Sequence, residues 1–181
     1  MVKTTTSPSF RRERSEPRNP FFKQFLAILA ISWILACSPP TFALEITYFY
    51  DGDTVKINDA GREYKLRVTD IDAPERTQTY GLKSRRALMQ FCKTTSVQVQ
   101  LLGTDKYQRK LGKLECNNQD VSFYMIENGN AWFYQQYSTD SALELAELEA
   151  RNKKRGLWKS QHPTPPWIWR NKGIQRKKHP H

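Results

Sequence analysis

Apolar positions along the chain follow two different periods, and the switches between them divide the sequence into elements. Ile46, Tyr48 and Tyr50 alternate with Thr47 and Phe49, and Val55 and Ile57 flank Lys56, which is the two-residue period of half-buried strands. Asp59-Ala60-Gly61 supplies a hairpin turn. Tyr64, Leu66, Val68 and Asp70 then fall on one face of a third strand, with Arg67 on the opposite face. Alternation returns over 97–102 and 111–116. Helical spacing appears over 79–92, where Leu82, Arg86 and Met89 combine with Leu88, Phe91 and Cys92. A short helix over 120–129 is stopped by Asn128-Gly129.

The last helix follows a cap at Thr139 or Asp140. Leu143, Ala146, Leu148 and Ala150 give it an apolar stripe, and Gly156 ends it. Glu144, Glu147 and Glu149 come early and Arg151, Lys153, Lys154 and Arg155 late, which complements the helix dipole. Five strands with a helix between the third and fourth is the order of an OB-fold. The predicted class is therefore α+β, a five-stranded OB-fold barrel with about three α-helices.

The two ends depart from this pattern. Residues 1–24 are rich in Arg, Ser, Thr and Pro, and an apolar run follows from Phe25 to Ala36. Twelve residues rise about 18 Å as a helix, against roughly 30 Å of bilayer hydrocarbon. A signal peptide fits better: a basic region over 1–24, an apolar core over 25–36, and cleavage after Ala43 in Thr41-Phe42-Ala43. An uncleaved anchor or a buried helix is the alternative. Lipid attachment at Cys37 ranks behind cleavage, because Leu35 is unusual in such a motif. The domain proper then spans 44–160, and 161–181 form a Pro- and Trp-containing wrap with a basic tail. The expectation is a monomer exported to the periplasm or medium. It has no stable protein partner and meets the membrane only during passage.

Charge and cysteines add modest constraints. The chain carries a formal +11, and the part beyond Ala43 keeps 23 basic and 16 acidic residues, a net +7. That suits a polyanionic partner such as nucleic acid, or simply favours solubility. Export permits a disulfide between Cys92 and Cys116; two small buried side chains are the alternative. The histidines are His162, His179 and His181, all near the C-terminus, so histidine-based hydrolysis is disfavoured. Any such chemistry must come from carboxylates, arginines and a metal.

Those groups are concentrated. Asp51-Gly52-Asp53-Thr54 lies between two strands, and Arg67 through Asp70 and Asp72-Ala73-Pro74-Glu75 closes the third. Carboxylates beside a glycine suit a hard, oxygen-seeking cation. A cation and arginines offset the charge of a phosphodiester, and a nearby carboxylate can take a proton from water. Taken singly, Asp-Gly is also a common turn and Asp-Ala-Pro-Glu a strand exit.

Asp51-Gly52-Asp53-Thr54-Val55, Arg67 with Asp72-Ala73-Pro74-Glu75, and Asp105-Lys106-Tyr107-Gln108-Arg109 resemble, in order and spacing, three motifs of the staphylococcal nuclease family. Thr79-Tyr80-Gly81, Asn128-Gly129-Asn130-Ala131-Trp132, Arg155-Gly156-Leu157-Trp158 and Pro165 to Arg170 extend the resemblance over most of residues 46–170. The resemblance implies a Ca2+-dependent nuclease acting on DNA and/or RNA, breaking the bond to the 5′ oxygen and leaving 3′-phosphorylated products. It implies metal ligation by Asp53, Asp72 and the Ala73 backbone carbonyl. Arg67 and Arg109 are implied to stabilise the transition state, Glu75 to activate water, and Lys106 and Tyr107 to lie beside the bound nucleotide. A cystine between Cys92 and Cys116 resembles that of some exported members. Gln108 stands where the family usually has glycine; if the backbone there is left-handed, glutamine costs roughly 1 kcal/mol. The alternative is a nucleic-acid-binding OB module without catalysis. Tyr48, Tyr50, Tyr134 and Tyr137 could stack on bases, whereas Trp132 and Phe133 read as packing residues.

Overall fold

The computed structural model describes residues 44–93 and 96–171. The proposed signal peptide, Cys37 and the tail beyond residue 171 lie outside the described residues.

Strands β1 (Glu45–Phe49), β2 (Thr54–Asp59) and β3 (Arg62–Val68) form an antiparallel meander. Ala60 and Gly61, at φ 50° and 88°, turn β2 into β3, as a hairpin with two left-handed central residues requires. Strand β4 is the short pair Ile71–Asp72, and helix α1 spans Gly81–Phe91. Strands β5 (Val97–Thr104) and β6 (Lys110–Cys116) make a second hairpin, and β6 pairs in parallel with β3. The strand order β1-β2-β3-β6-β5, with α1 between the third and fourth long strands, is that of an OB-fold. Strand β7 (Gln119–Asp120), helix α2 (Val121–Glu127), strand β8 (Trp132–Phe133), helix α3 (Ser141–Asn152) and a 3-10 turn at Gly156–Lys159 follow. A final helix begins at residue 166.

The barrel is filled by Val55, Ile57, Leu66, Val68, Ile71, Leu88, Leu114, Val121, Met125 and Ile126, each at 0% or 1% exposure. A smaller cluster forms around Trp132, Ala150, Leu157 and Trp158, with Tyr80 and Trp167 against it. Asp120 caps α2 by accepting from Phe123 N, and Asp140 caps α3 by accepting from Ala142 N.

The sequence pattern mislocates several side chains. A register shift between Ile46 and Tyr48 breaks the alternation of β1, so Ile46 and Phe49 pack on the core and Tyr48 is exposed; one extra residue flips every later side chain. Strand β3 ends at Val68, and Asp70 lies beyond it with φ 68°. Leu82 and Leu148 are exposed, not core. On α3 the buried face is Leu143, Ala146, Glu147 and Ala150. Glu147 sits there because it accepts from Phe133 N at 3.0 Å and pairs with Arg151 at 2.9 Å; a buried carboxylate needs such partners. Helix α3 ends at Asn152, before Gly156. Gly156 instead permits close packing: a Cβ there would lie 2.1 Å from the Gly129 carbonyl oxygen.

Cys92 and Cys116 are joined by a disulfide with Cα atoms 5.3 Å apart, tying the end of α1 to the end of β6 across 24 residues. Closing a loop of that length restricts the unfolded chain by about 3 kcal/mol. Reduction, or a Cys92→Ala/Cys116→Ala double variant, should lower unfolding free energy by that order in a denaturant titration with the fold retained at room temperature.

Candidate active site

The end of β3, the short β4 and the β1–β2 turn bring three charged groups to one place, Asp53, Arg67 and Asp72. Asp53 is anchored by its surroundings: its Oδ1 accepts from Thr54 Oγ1 at 2.8 Å and its Oδ2 from Ala73 N at 2.6 Å. Its own carbonyl accepts from Val68 N at 2.8 Å. Asp72 sits on β4, where β8 pairs it with Trp132. Arg67 leaves β3 on the side away from the core and lies over both acids. Its Nη2 is 3.0 Å from Asp72 Oδ1, and its Nη1 is 3.2 Å from Asp53 Oδ2. The same Nη1 donates to the carbonyls of Val68 and Ile71, at 2.8 and 3.0 Å. Asp53 and Asp72 are 4% and 1% exposed.

Gly52 is required by packing. A Cβ there would fall 1.9 Å from Ser84 Oγ on α1 and 2.8 Å from the Ala73 Cβ. The missing side chain lets α1 close against the acidic turn. Ser84 Oγ itself is buried without a hydrogen-bond partner.

Burial shapes the acidities. Asp51 is pushed up to about 7, first by desolvation and then by the neighbouring Asp53 charge. Burial also raises Asp72, outweighing the opposing hydrogen bond from Arg170 and the charge of Arg67.

Glu75 lies at the rim. The loop that carries it folds back on itself: Gln78 N donates to the Glu75 carbonyl, and Gln78 Oε1 accepts from Glu75 N. Tyr80 takes φ 73° to start α1. A Cβ on Gly81 would meet the Glu75 carbonyl oxygen at 1.9 Å.

Arg109, Lys106 and Tyr107 form a separate group on the β5–β6 turn. Asp105 organises it, accepting from Tyr107 N at 2.8 Å, from Arg109 N at 3.0 Å and from Arg109 Nε at 2.7 Å. Burial alone would raise Asp105, but the hydrogen bonds from Arg109 and Tyr107 hold it below the usual carboxylate range. Tyr107 is exposed, with Lys106 Nζ at 5.2 Å and Arg109 Cζ at 5.6 Å from its ring. Gln108 does adopt a left-handed backbone, φ 64°. Among the described residues, no hydrogen bond or ion pair joins this group to Asp53, Asp72 or Glu75. Arg67 pairs with Leu111 across β3 and β6, and Arg109 lies two residues before Leu111, on the turn that leads into β6.

From sequence alone, Arg170 falls at the end of the Pro165–Arg170 stretch, in the C-terminal wrap, with no part in the site. It reaches Asp72 at 2.7 Å and Glu75 at 2.9 Å. A signal was present: Pro166 suits the first position of a helix, which puts Trp167 and Arg170 three apart on one face.

As a metal site the cluster offers hard oxygen donors, two buried carboxylates with backbone carbonyls nearby. That donor chemistry fits calcium or magnesium rather than zinc. Among the described residues no three acidic, histidine or cysteine side chains converge as a cage, so an ion held here would complete its shell with carbonyl oxygen and water.

Residues 65–160 match the family described as Staphylococcal nuclease homologue. The chain is 35% identical over 148 residues to an "Uncharacterized endonuclease" of Escherichia coli O157:H7, covering 81% of this chain and 95% of that protein. A protein of Haemophilus influenzae with the same description is 33% identical over 144 residues, covering 79% and 81%. A "Probable staphylococcal-like nuclease CAN2" of Oryza sativa subsp. japonica is 38% identical over 109 residues, 60% of this chain and 30% of that one. The chain belongs to the staphylococcal nuclease family, with the OB-fold core of that family and additional helices.

Two outcomes test this geometry. Gln108→Gly relieves a left-handed non-glycine residue and should raise unfolding free energy by about 0.5–1 kcal/mol in a denaturant titration. Asp51 holds its proton more tightly folded than unfolded, so stability should fall as pH rises between 3.8 and about 7. Asp51→Asn, which keeps an acceptor for Asp53 N, should flatten that slope by up to about 1.4 kcal/mol per pH unit, measured by unfolding in chelator.

Proposed function

We propose that the chain is an exported, calcium-dependent nuclease that hydrolyses phosphodiester bonds of DNA and/or RNA and leaves 3′-phosphate and 5′-hydroxyl ends. The observation that carries the reading is Arg67 laid over the buried Asp53–Asp72 pair, with Glu75 at its rim. Membership of a nuclease family and relatives described as endonucleases support it. The Cys92–Cys116 disulfide supports an oxidising compartment, and the N-terminal apolar segment supports export.

In this reading Asp53, Asp72 and the Ala73 carbonyl hold the cation. A bound divalent cation supplies positive charge against the non-bridging oxygens of the phosphate. Arg67 and Arg109 donate to those oxygens as negative charge builds in the transition state. Glu75 accepts a proton from the attacking water, whose oxygen bonds to phosphorus as the bond to the 5′ oxygen breaks. Asp105 engages Arg109 through Nε, which leaves the Nη groups to donate to the phosphate. Lys106 and Tyr107, on the same exposed turn, offer a cation and a ring face to the flanking nucleotide.

That Asp105 ion pair, on a turn with a left-handed glutamine, favours one second reading, a binding module without catalysis. Incubating heat-denatured DNA with the protein separates the two. Catalysis gives calcium-dependent shortening of the DNA, abolished by chelator and reduced on the order of 10²–10³-fold in Glu75→Gln. Retention of intact DNA in calcium would sink the nuclease reading. Glu75 is the better probe because Arg67→Ala would take from the buried Asp53 its ion-pair partner and cost several kcal/mol of stability.

A further inference from the structure

Arg170 lies 98 residues from Asp72 and 95 from Glu75, yet it is in hydrogen-bonding contact with both. Nη2 is 2.7 Å from Asp72 Oδ2, while Nη1 is 3.2 Å from Asp72 Oδ1 and 2.9 Å from Glu75 Oε1. Burial works against the guanidinium's charge, but these two carboxylates raise its already high pKa further.

The final helix is fastened where it brings this about. Trp167 stacks on Tyr134 with centroids 5.8 Å apart and meets Trp132 edge-on at 5.6 Å. Gln78, whose Oε1 accepts from Glu75 N, donates through Nε2 to the Thr164 carbonyl. The segment is thus tied to the Glu75 loop at two points.

The two arginines on Asp72 differ in freedom. Arg67 has a side chain 12% exposed and also donates to two backbone carbonyls, so it is fixed. Arg170 has a side chain 39% exposed and, among the described residues, makes its polar contacts with the two acids alone; it can turn into solvent without breaking a backbone hydrogen bond. With Arg67 on Oδ1 and Arg170 on both oxygens, Asp72 has its outward lone pairs occupied. A cation approaching Asp72 from solvent meets a guanidinium already there.

The geometry points to Arg170 as a tethered cation of the catalytic centre, holding Asp72 and Glu75 while no divalent cation is bound and competing with that cation for Asp72. This rests on the reading above, in which Asp72 holds the metal. Because the competitor is part of the chain, it needs no concentration of its own. It keeps the two catalytic acids paired in the metal-free protein, and it weakens the apparent metal affinity by the fraction of time the fork is closed.

Calorimetric titration of calcium chloride into the full-length chain tests the competition. Arg170→Gln should bind calcium about tenfold more tightly than the wild type, the factor set by a fork closed nine-tenths of the time. Trp167→Ala, which loosens the helix while keeping Arg170, should shift affinity in the same direction. Arg170→Lys, which keeps charge but loses the fork, should fall between wild type and Arg170→Gln. A purely structural role for Arg170 predicts the opposite, weaker binding. Equal or weaker calcium affinity in Arg170→Gln overturns the inference; if that variant does not fold, Trp167→Ala and Arg170→Lys decide by the same criterion. Asp72→Asn separates the two levels. If it abolishes calcium binding but the other variants do not tighten it, the competition alone fails. If neither wild type nor Arg170→Gln binds calcium, the metal reading fails and this inference with it.

Discussion

Two carboxylates with almost no access to water, Asp53 and Asp72, share one guanidinium, and much of the site depends on that contact. A lone buried carboxylate is costly, and two side by side repel as well. Arg67 offsets both, and its remaining donors satisfy the carbonyls at the end of β3. The contact therefore bears on two things together, where β3 stops and how the chain turns into β4. Breaking a buried pair by removing one partner is far worse than never having built it, which is why these residues form a unit.

Excess negative charge is left over even so. Asp51 keeps its proton until about pH 7, and Asp72 is also raised. The fold contains two responses to that excess. One is local, Arg67 on the adjoining strand. The other is brought from the far end of the described chain, Arg170, at the cost of ordering a terminal segment. Trp167 against Trp132 and Tyr134 offsets that cost by burying aromatic surface.

How much of this was legible in the sequence follows from how local each feature is. The strand and helix order was readable, because period and turn residues act within a few positions. Asp53, Arg67, Asp72 and Glu75 were readable as a group because they lie on adjoining segments around β2 and β3. Features set by tertiary partners were not. The shift at β1 depends on pairing with β2, so alternation alone misplaced Tyr48. Glu147 occupies a core position because β8 offers it a backbone N–H and Arg151 an ion pair, while Leu148 faces solvent. Arg170 carries no local mark of its partners, since their only link to it is the docking of a helix nearly a hundred residues away. Gln108 is the converse case: the strain was readable, but the Asp105 side chain that holds its turn together was not given its role.

The separation of Arg109 from the acidic cluster bears on how the two halves of the site meet. Arg67 lies on β3 and Arg109 on the turn just before β6, the parallel neighbour of β3, yet each is already paired, Arg67 with Asp72 and Asp53 and Arg109 with Asp105. Neither can serve a phosphate fully without giving up part of an existing pair. In the proposed function a polyanion arriving at both would supply a replacement partner. Exchange of one charged partner for another in a partly desolvated site changes the net free energy less than forming or breaking a pair outright. That favours binding which releases and re-forms ion pairs over binding to bare charges. In the proposed function it would also place the discriminating energy in geometry, in whether the incoming oxygens match the forks of Arg67 and Arg109.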